Sequence, residues 1–96
     1  MEELKLRSKY PDSLKPFVEA ALTERLRSIE TGIKRTQERL QEFETKYQLS
    51  TAEFLRRFEN DEFNHTFDFD EWMGEAWMLE SLLQEKEEVK GIEIVD

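Results

Sequence analysis

The residues with the most chemistry to offer lie between positions 54 and 77, where seven of the chain's eleven aromatic side chains are interleaved with acidic ones. The seven are Phe54, Phe58, Phe63, Phe67, Phe69, Trp72 and Trp77. Large amphipathic rings are common anchors of interfaces, and clustered carboxylates attract basic partners. Rings also build cores, and we assign Phe54, Phe58, Phe69 and Trp72 there first. Seven rings exceed what two helical layers of this size need, so we expect another chain to cover Phe63, Phe67 and Trp77.

Catalytic and metal-binding chemistry has few candidates. His65 is the only histidine, with Asp68 and Asp70 close to it in the sequence, and a lone loop histidine is usually structural or solvated. Glu71 and Glu75 lie one helical turn apart, and all-α nucleotide pyrophosphatases hold magnesium with acids on a helical bundle. Helix caps and exposed faces place acids there as well. With no cysteine and no glycine-rich phosphate loop, we expect no enzyme, no cofactor and no metal, and keep the magnesium-dependent pyrophosphatase as the weakest alternative.

Charge is unevenly distributed between the halves of the 96-residue chain. Residues 1–50 carry ten Lys or Arg and nine Asp or Glu, whereas residues 51–96 carry four and fourteen, a net charge of −10. An acidic half attracts basic protein surfaces and repels nucleic acid, although it also serves solubility. We expect a basic protein partner and no nucleic acid. With no membrane-spanning run and no apolar run typical of a signal peptide, we also expect no membrane and a cytoplasmic location.

A heptad pattern organises the first half of the chain. Apolar residues recur at alternating steps of four and three, which is typical of a helix that packs along its length against another helix. This seam comprises Leu22, Leu26, Ile29, Ile33, Thr36, Leu40, Phe43 and Tyr47. We predict a helix over residues 13–47, capped by Asp12 or Ser13, with Pro16 in its first turn.

Two elements could cover this seam: a second copy of the same helix, or another helix of the same chain. Arg25 and Arg39 flank it on one side, and Glu30 and Glu44 on the other. In a parallel pair of identical helices Arg25 faces Glu30 and Arg39 faces Glu44 of the other copy, whereas an antiparallel pair of the same helix sets like charges together. The pattern favours a parallel homodimer. The alternative is a hairpin in which the last helix of the same chain covers the seam.

A capping motif predicts a short second helix. Ser50 and Glu53 have the spacing of a capping box, and Leu49 with Phe54 has the spacing of the hydrophobic staple around it. We predict a helix over residues 51–59.

The same motif recurs before a third helix. Asp68 and Glu71 repeat the capping box, Phe67 and Trp72 repeat the staple, and a helix is predicted over residues 69–90. Residues 1–10 and 91–96 alternate weakly between apolar and charged side chains, which favours either short strands or frayed ends. The sequence therefore predicts an all-α fold, a helical hairpin or coiled coil, in a single domain over residues 1–96.

Two runs of sequence carry a family resemblance. Residues 46–59, which read KYQLSTAEFLRRFE, and residues 69–72, which read FDEW, resemble small acidic prokaryotic proteins, some of them antitoxin components of toxin–antitoxin modules. The resemblance implies an antitoxin. From the acidic and aromatic residues of the second half we expect it to neutralise a small basic toxin, such as a nuclease, by masking its active-site groove. The partner-binding residues would be Phe63, Phe67, Asp70, Glu71, Trp72, Glu75 and Trp77. The main alternative is a homodimeric coiled-coil scaffold with no basic partner.

Overall fold

The computed structural model describes residues 3–95 and consists of three helices: α1 (Pro11–Tyr47), α2 (Thr51–Glu59) and α3 (Phe67–Lys90). The predicted all-α class is confirmed. Between residues 3 and 95 the structure contains no strand, so the described parts of the two terminal segments are irregular; positions 1, 2 and 96 lie outside the described residues. The molecule is a rod of 58 × 26 × 18 Å. None of these three helices is long and apolar enough to cross a membrane.

Helix α1 begins two residues earlier than predicted. Tyr10 is its N-cap and makes no side-chain capping hydrogen bond, so the prediction that Asp12 or Ser13 caps the helix is wrong. Pro11 takes the first helical position, where its fixed φ suits the helix and its missing N–H is not needed. Pro16 consequently lies inside the helix, beyond the first turn.

The predicted start of α2 is confirmed. Ser50 is the N-cap, and its hydroxyl accepts a hydrogen bond from the Glu53 amide at 3.1 Å. The Glu53 carboxylate accepts hydrogen bonds from Arg56 and Arg57, which lie one turn further along the helix. Leu49 packs against the core cluster that contains Phe54, as the staple predicts.

Helix α3 starts at Phe67, and the predicted cap and staple are wrong. Thr66 is the N-cap, with its hydroxyl accepting from the Phe69 amide at 3.1 Å. The Asp68 carboxylate instead accepts hydrogen bonds from Lys46 and Tyr47 of α1. Phe67 is 96 % exposed and Trp72 is fully buried, so these two side chains do not form a staple.

Helices α1 and α3 form an antiparallel hairpin with a regular register. Four contacts define it, and the residue numbers of each facing pair add to between 114 and 116. The pairs are Tyr47 with Asp68, Phe43 with Trp72, Gly32 with Leu82, and Glu30 with Lys86. A methyl group on Gly32 would lie 3.1 Å from the Leu82 side chain, so the absent side chain allows the two helices to approach closely here.

From Leu26 to Tyr47 the α1 seam is covered by α3 of the same chain, and Leu22 lies just past the end of α3. All eight residues of the seam are buried or half-buried. The charged residues beside the seam also have partners within the chain, since Arg25 pairs with Glu85, Arg39 with Glu71, and Lys86 with Glu30. These pairs replace the ones expected between two copies, and the hairpin alternative accounts for the heptad pattern. A homodimer stays a prediction and requires a surface other than this covered seam.

Helix α3 carries a complementary seam. Its buried and half-buried residues include a second heptad series at steps of four and three: Asp68, Trp72, Glu75, Leu79, Leu82, Lys86 and Val89. Three of the seven positions are charged, so hydrophobicity alone does not reveal the pattern. The contacts with α1, and not the spacing alone, define this seam.

Helix α2 closes one end of the hairpin with an aromatic core. Phe54 and Trp72 are 0 % exposed, and their rings stack with centroids 4.0 Å apart and planes 1° from parallel. Trp72 also stacks on Phe43 at 5.5 Å and donates its indole N–H to the Thr51 hydroxyl at 3.0 Å. One tryptophan therefore connects all three helices.

Candidate protein-binding surface

The side of α3 that faces away from the hairpin presents a third regular series of residues. They recur at steps of three and four, each is exposed, and together they form what we call the outer face: Phe67, Asp70, Gly74, Trp77, Ser81, Gln84 and Glu88. Residues at such steps lie on one side of a helix, and here they form a stripe along the whole of α3. The outer face is thus a continuous surface on a rigid element.

Two aromatic anchors lie on this face. Phe67 is 96 % exposed and Trp77 is 57 % exposed, and the adjacent Met78 is exposed as well. The Thr66 cap fixes Phe67 at the first helical position, where the ring points away from the core. Single exposed apolar residues are ordinary on a protein surface, but two large rings on one helical face are a typical binding feature.

A shallow groove runs beside Trp77 toward the end of α3. Its lining combines the indole ring with small polar and acidic side chains: Trp77, Glu80, Ser81, Gln84, Glu85 and Glu88. Glu85 is held by Arg25 of α1, which leaves Glu80 and Glu88 as the acids of the groove that form no salt bridge with another described residue, although Gln84 donates a hydrogen bond to Glu88 at 3.3 Å. An acidic surface of this kind beside an exposed indole ring suits a partner with apolar and basic side chains.

The structure divides the seven predicted partner-binding residues into three groups. Phe67, Asp70 and Trp77 lie together on the outer face. Glu71 lies at its edge, where the Arg39 guanidinium donates to its carboxylate at 2.5 Å.

The other three residues are turned inward. Trp72 is fully buried, so its assignment to a partner-binding surface is wrong for this structure. Phe63 is half-buried and packs its ring on Phe54 and Phe69. Glu75 is half-buried at the hairpin interface. The carboxylates available to a partner are therefore those near Trp77, and not those of Glu71 and Glu75.

Several carboxylates of α3 serve the fold. Hydrogen bonds from Lys46 and Tyr47 lower the pKa of Asp68, and a hydrogen bond from Arg39 lowers the pKa of Glu71. Both groups therefore stay ionised at neutral pH and tie α3 to α1. Asp70 accepts a hydrogen bond from the His65 ring at 3.2 Å, if that nitrogen carries the proton, and His65 packs edge-on against Phe58.

The candidate catalytic residues do not converge on one pocket. Glu71 is engaged by Arg39, while Glu75 is half-buried in the hairpin interface. Within residues 3–95, no group of three or more histidine, cysteine or acidic residues is placed to hold a metal ion. His65 makes a contact with a single carboxylate and a phenyl ring, which is the arrangement of a structural loop residue.

No protein-family model matches the sequence, and neither a curated protein nor a solved structure is significantly similar to it. The geometry of α3 and the distribution of charge therefore carry the functional interpretation.

Proposed function

We propose that the chain is an acidic protein-binding module, and that it acts as an antitoxin by covering the active-site groove of a small basic toxin with the outer face of α3. The observation that carries this proposal is the placement of Phe67 and Trp77 on one exposed helical face among acidic residues. Within residues 51–96 the other large rings are buried or half-buried in the core, so these two are the ones in the acidic half that are available to a partner.

Charge supports a basic partner. Residues 51–96 have a net charge of −10, and α3 alone contains eight acidic and two basic residues. An acidic surface accelerates association with a basic protein, and salt weakens this effect because it screens the attraction between the charges. In this mechanism Asp70, Glu80 and Glu88 occupy positions that phosphates of a nucleic acid substrate would take on a toxin nuclease.

The two rings supply affinity, and the acids supply orientation and rate. A Trp or Phe that enters a partner's pocket commonly dominates the energy of an interface. Trp77 stands beside the acidic groove, so burying its indole brings the carboxylates against the partner's basic side chains. Gly74 lies between the two rings with nothing within 4 Å of where a side chain would start, which leaves room for a partner side chain.

The test begins with capture from the native organism. The tagged chain is used as bait at low and moderate salt, beside a triple variant, Asp70→Asn, Glu80→Gln and Glu88→Gln. The control variant, Glu19→Gln, Glu24→Gln and Glu38→Gln, changes the net charge equally but on α1. We expect the wild type and the control to capture a small basic protein, to capture less of it at the higher salt concentration, and the triple variant to capture none.

Purified components then decide the mechanism. Trp77→Ala should weaken binding by about tenfold or more, which corresponds to about 1.4 kcal/mol per tenfold. Co-expression should suppress the partner's toxicity with the wild type and fail to do so with Trp77→Ala. Equal affinity for the wild type, Trp77→Ala and the triple variant would rule out the outer face and its groove as the binding site.

A homodimeric scaffold is the second candidate function. It is favoured by the apolar residues exposed where α1 extends beyond α3, Tyr10 and Phe17 among them. Recovery of only the chain itself in the capture experiment, at both salt concentrations, would replace the antitoxin proposal with this one.

A further inference from the structure

Helix α1 is longer than its covering. In the register of the hairpin, Lys90 at the end of α3 lies opposite Arg25, so residues 11–24 of α1 extend past the last turn of α3. At about 1.5 Å per residue this overhang is roughly 20 Å long. It is a helix with no other helix of the described chain beside it.

The apolar stripe of α1 continues along the overhang. Leu14, Val18 and Leu22 follow one another at steps of four and are half-buried. Tyr10 and Phe17 lie beside this stripe and are 74 % and 75 % exposed. The overhang therefore presents an apolar side on which no other helix of the described chain packs, in line with the seam that α3 covers further along.

The irregular segments at this end add to the exposed apolar surface. Six of the ten large hydrophobic residues that are exposed in the described chain belong to residues 3–24 or 91–95: Leu4, Leu6, Tyr10, Phe17, Ile92 and Val95. Concentration of exposed apolar groups in one region is characteristic of an interaction site. The remaining four belong to α3.

We infer that a second copy of this chain covers the overhang, with the two overhangs antiparallel about a two-fold axis at Val18. Leu14, Val18 and Leu22 form a palindromic spacing, so this arrangement places Leu14 of each copy opposite Leu22 of the other. An isologous contact needs a self-complementary patch, and this stripe is one. In each copy, the partner's overhang then lies end to end with α3, and the two together cover the apolar stripe of α1.

Charge distinguishes the antiparallel arrangement from a parallel one. Residues 3–10 contain the exposed Lys5, Arg7 and Lys9, and the end of α3 with its tail contains the exposed Glu87, Glu88 and Glu93. In the antiparallel dimer the basic segment of each copy meets the acidic helix end of the other, where the helix dipole also favours cations. A parallel pairing would place basic segment against basic segment.

This interface is separate from the outer face of α3, so the two proposals can fail independently. Light scattering coupled to size-exclusion chromatography should give twice the mass of the chain at micromolar concentration for the wild type. Phe17→Ser should give a monomer with unchanged helical circular dichroism, because Phe17 is exposed in the single chain. Phe67→Ser is the matched control at another exposed phenylalanine and should remain a dimer.

Cysteine substitution tests the geometry without interference, because the chain contains no cysteine. Under mild oxidation Val18→Cys should form a disulfide-linked dimer, since the two Val18 residues face each other at the axis. Leu14→Cys alone should not, because two Leu14 residues lie about 12 Å apart along the axis at 1.5 Å per residue. A monomeric wild type would overturn the dimer, and equal crosslinking of the two variants would overturn the antiparallel arrangement.

Discussion

The two ends of the hairpin use the same α1 stripe in opposite ways. At the closed end, where α2 packs, Phe43 lies beneath the stacked rings of Trp72 and Phe54, and no more than 2 % of any of the three is exposed. At the open end, formed by the overhang and residues 3–10 and 91–95, Phe17 stands 75 % exposed beside the stripe. Amphipathic spacing thus predicts which side of a helix is apolar, whereas the neighbouring elements decide whether that side becomes core or interface.

The difference implies an uneven distribution of stability. The closed end combines three helices, a network of stacked rings and a Trp72–Thr51 hydrogen bond. In contrast, residues 11–24 of α1 have no other helix of the described chain beside them. Regions with few buried contacts open at low free energy, and binding surfaces are commonly drawn from them. We therefore expect substitutions at the closed end to change folding, and substitutions at the open end and on the outer face to change association.

Trp72→Ala should have the largest effect on stability. It removes a fully buried ring that touches all three helices and leaves a cavity, so we expect a loss of about 3–5 kcal/mol in the free energy of unfolding. Trp77→Ala, the same substitution on the exposed face, should change that free energy by no more than about 0.5 kcal/mol. Urea unfolding followed by circular dichroism measures both. Similar losses for the two variants would contradict the assignment of Trp72 to the core and Trp77 to the surface.

Ser50→Ala should show how far the closed end depends on the start of α2. The substitution removes the acceptor for the Glu53 amide and should cost about 1 kcal/mol. Ser28→Ala is the control, because Ser28 is exposed in the interior of α1 and alanine is the better helix former. The same urea experiment should give no loss for the control. An unchanged midpoint for Ser50→Ala would show that packing alone positions α2.

A pair of glycine substitutions compares the hairpin interface with the outer face. Gly74→Ala should stabilise the chain by about 0.5–1 kcal/mol, because alanine favours the helix and nothing lies within 4 Å of the new methyl group. Gly32→Ala should gain less, since its methyl group would lie 3.1 Å from the Leu82 side chain, which must shift. Thermal unfolding of the two variants checks the order. An equal gain at both positions would mean that the helices do not approach closely at Gly32.

The smallest effect should be a change in how the stability of the chain depends on pH, through Glu53 of α2. Hydrogen bonds from Arg56 and Arg57 lower the pKa of Glu53 from 4.5 to about 2. A carboxylate with a lowered folded-state pKa stabilises the fold above its unfolded pKa, and that contribution is lost as the pH falls through the folded value. Glu53→Gln should therefore flatten the decline of stability between pH 4.5 and about 2. The expectation fails if the stability of Glu53→Gln declines with pH as that of the wild type does.

Local chemistry made some elements predictable from sequence. Ser50 is the N-cap of α2 because its hydroxyl accepts a hydrogen bond from the Glu53 amide, three residues later. This interaction is local, so it does not depend on what the helix packs against. The α1 heptad was equally local, and all of its residues are buried or half-buried. Spacing cannot identify the covering helix, however, and the parallel pairing of Arg39 with Glu44 was displaced by the ion pair of Arg39 with Glu71.

The errors arose where distant contacts decide the outcome. Thr66 and Asp68 are both good caps two residues apart, and Lys46 and Tyr47 bind Asp68, leaving Thr66 to cap α3. The partner-binding prediction found Phe67, Asp70 and Trp77 by composition. It could not separate them from Trp72, whose burial depends on α2 packing against both long helices.

Pro16 gives the overhang a further property. It lies inside α1 and has no N–H, so the carbonyl of Asp12 lacks the donor that closes a normal helical turn. The first turn of α1 can therefore separate from the rest of the helix with one hydrogen bond fewer to break, and its amides should exchange with solvent faster than those after Pro16. The rod is rigid where its rings stack, while its first turn can adapt its direction to whatever binds there.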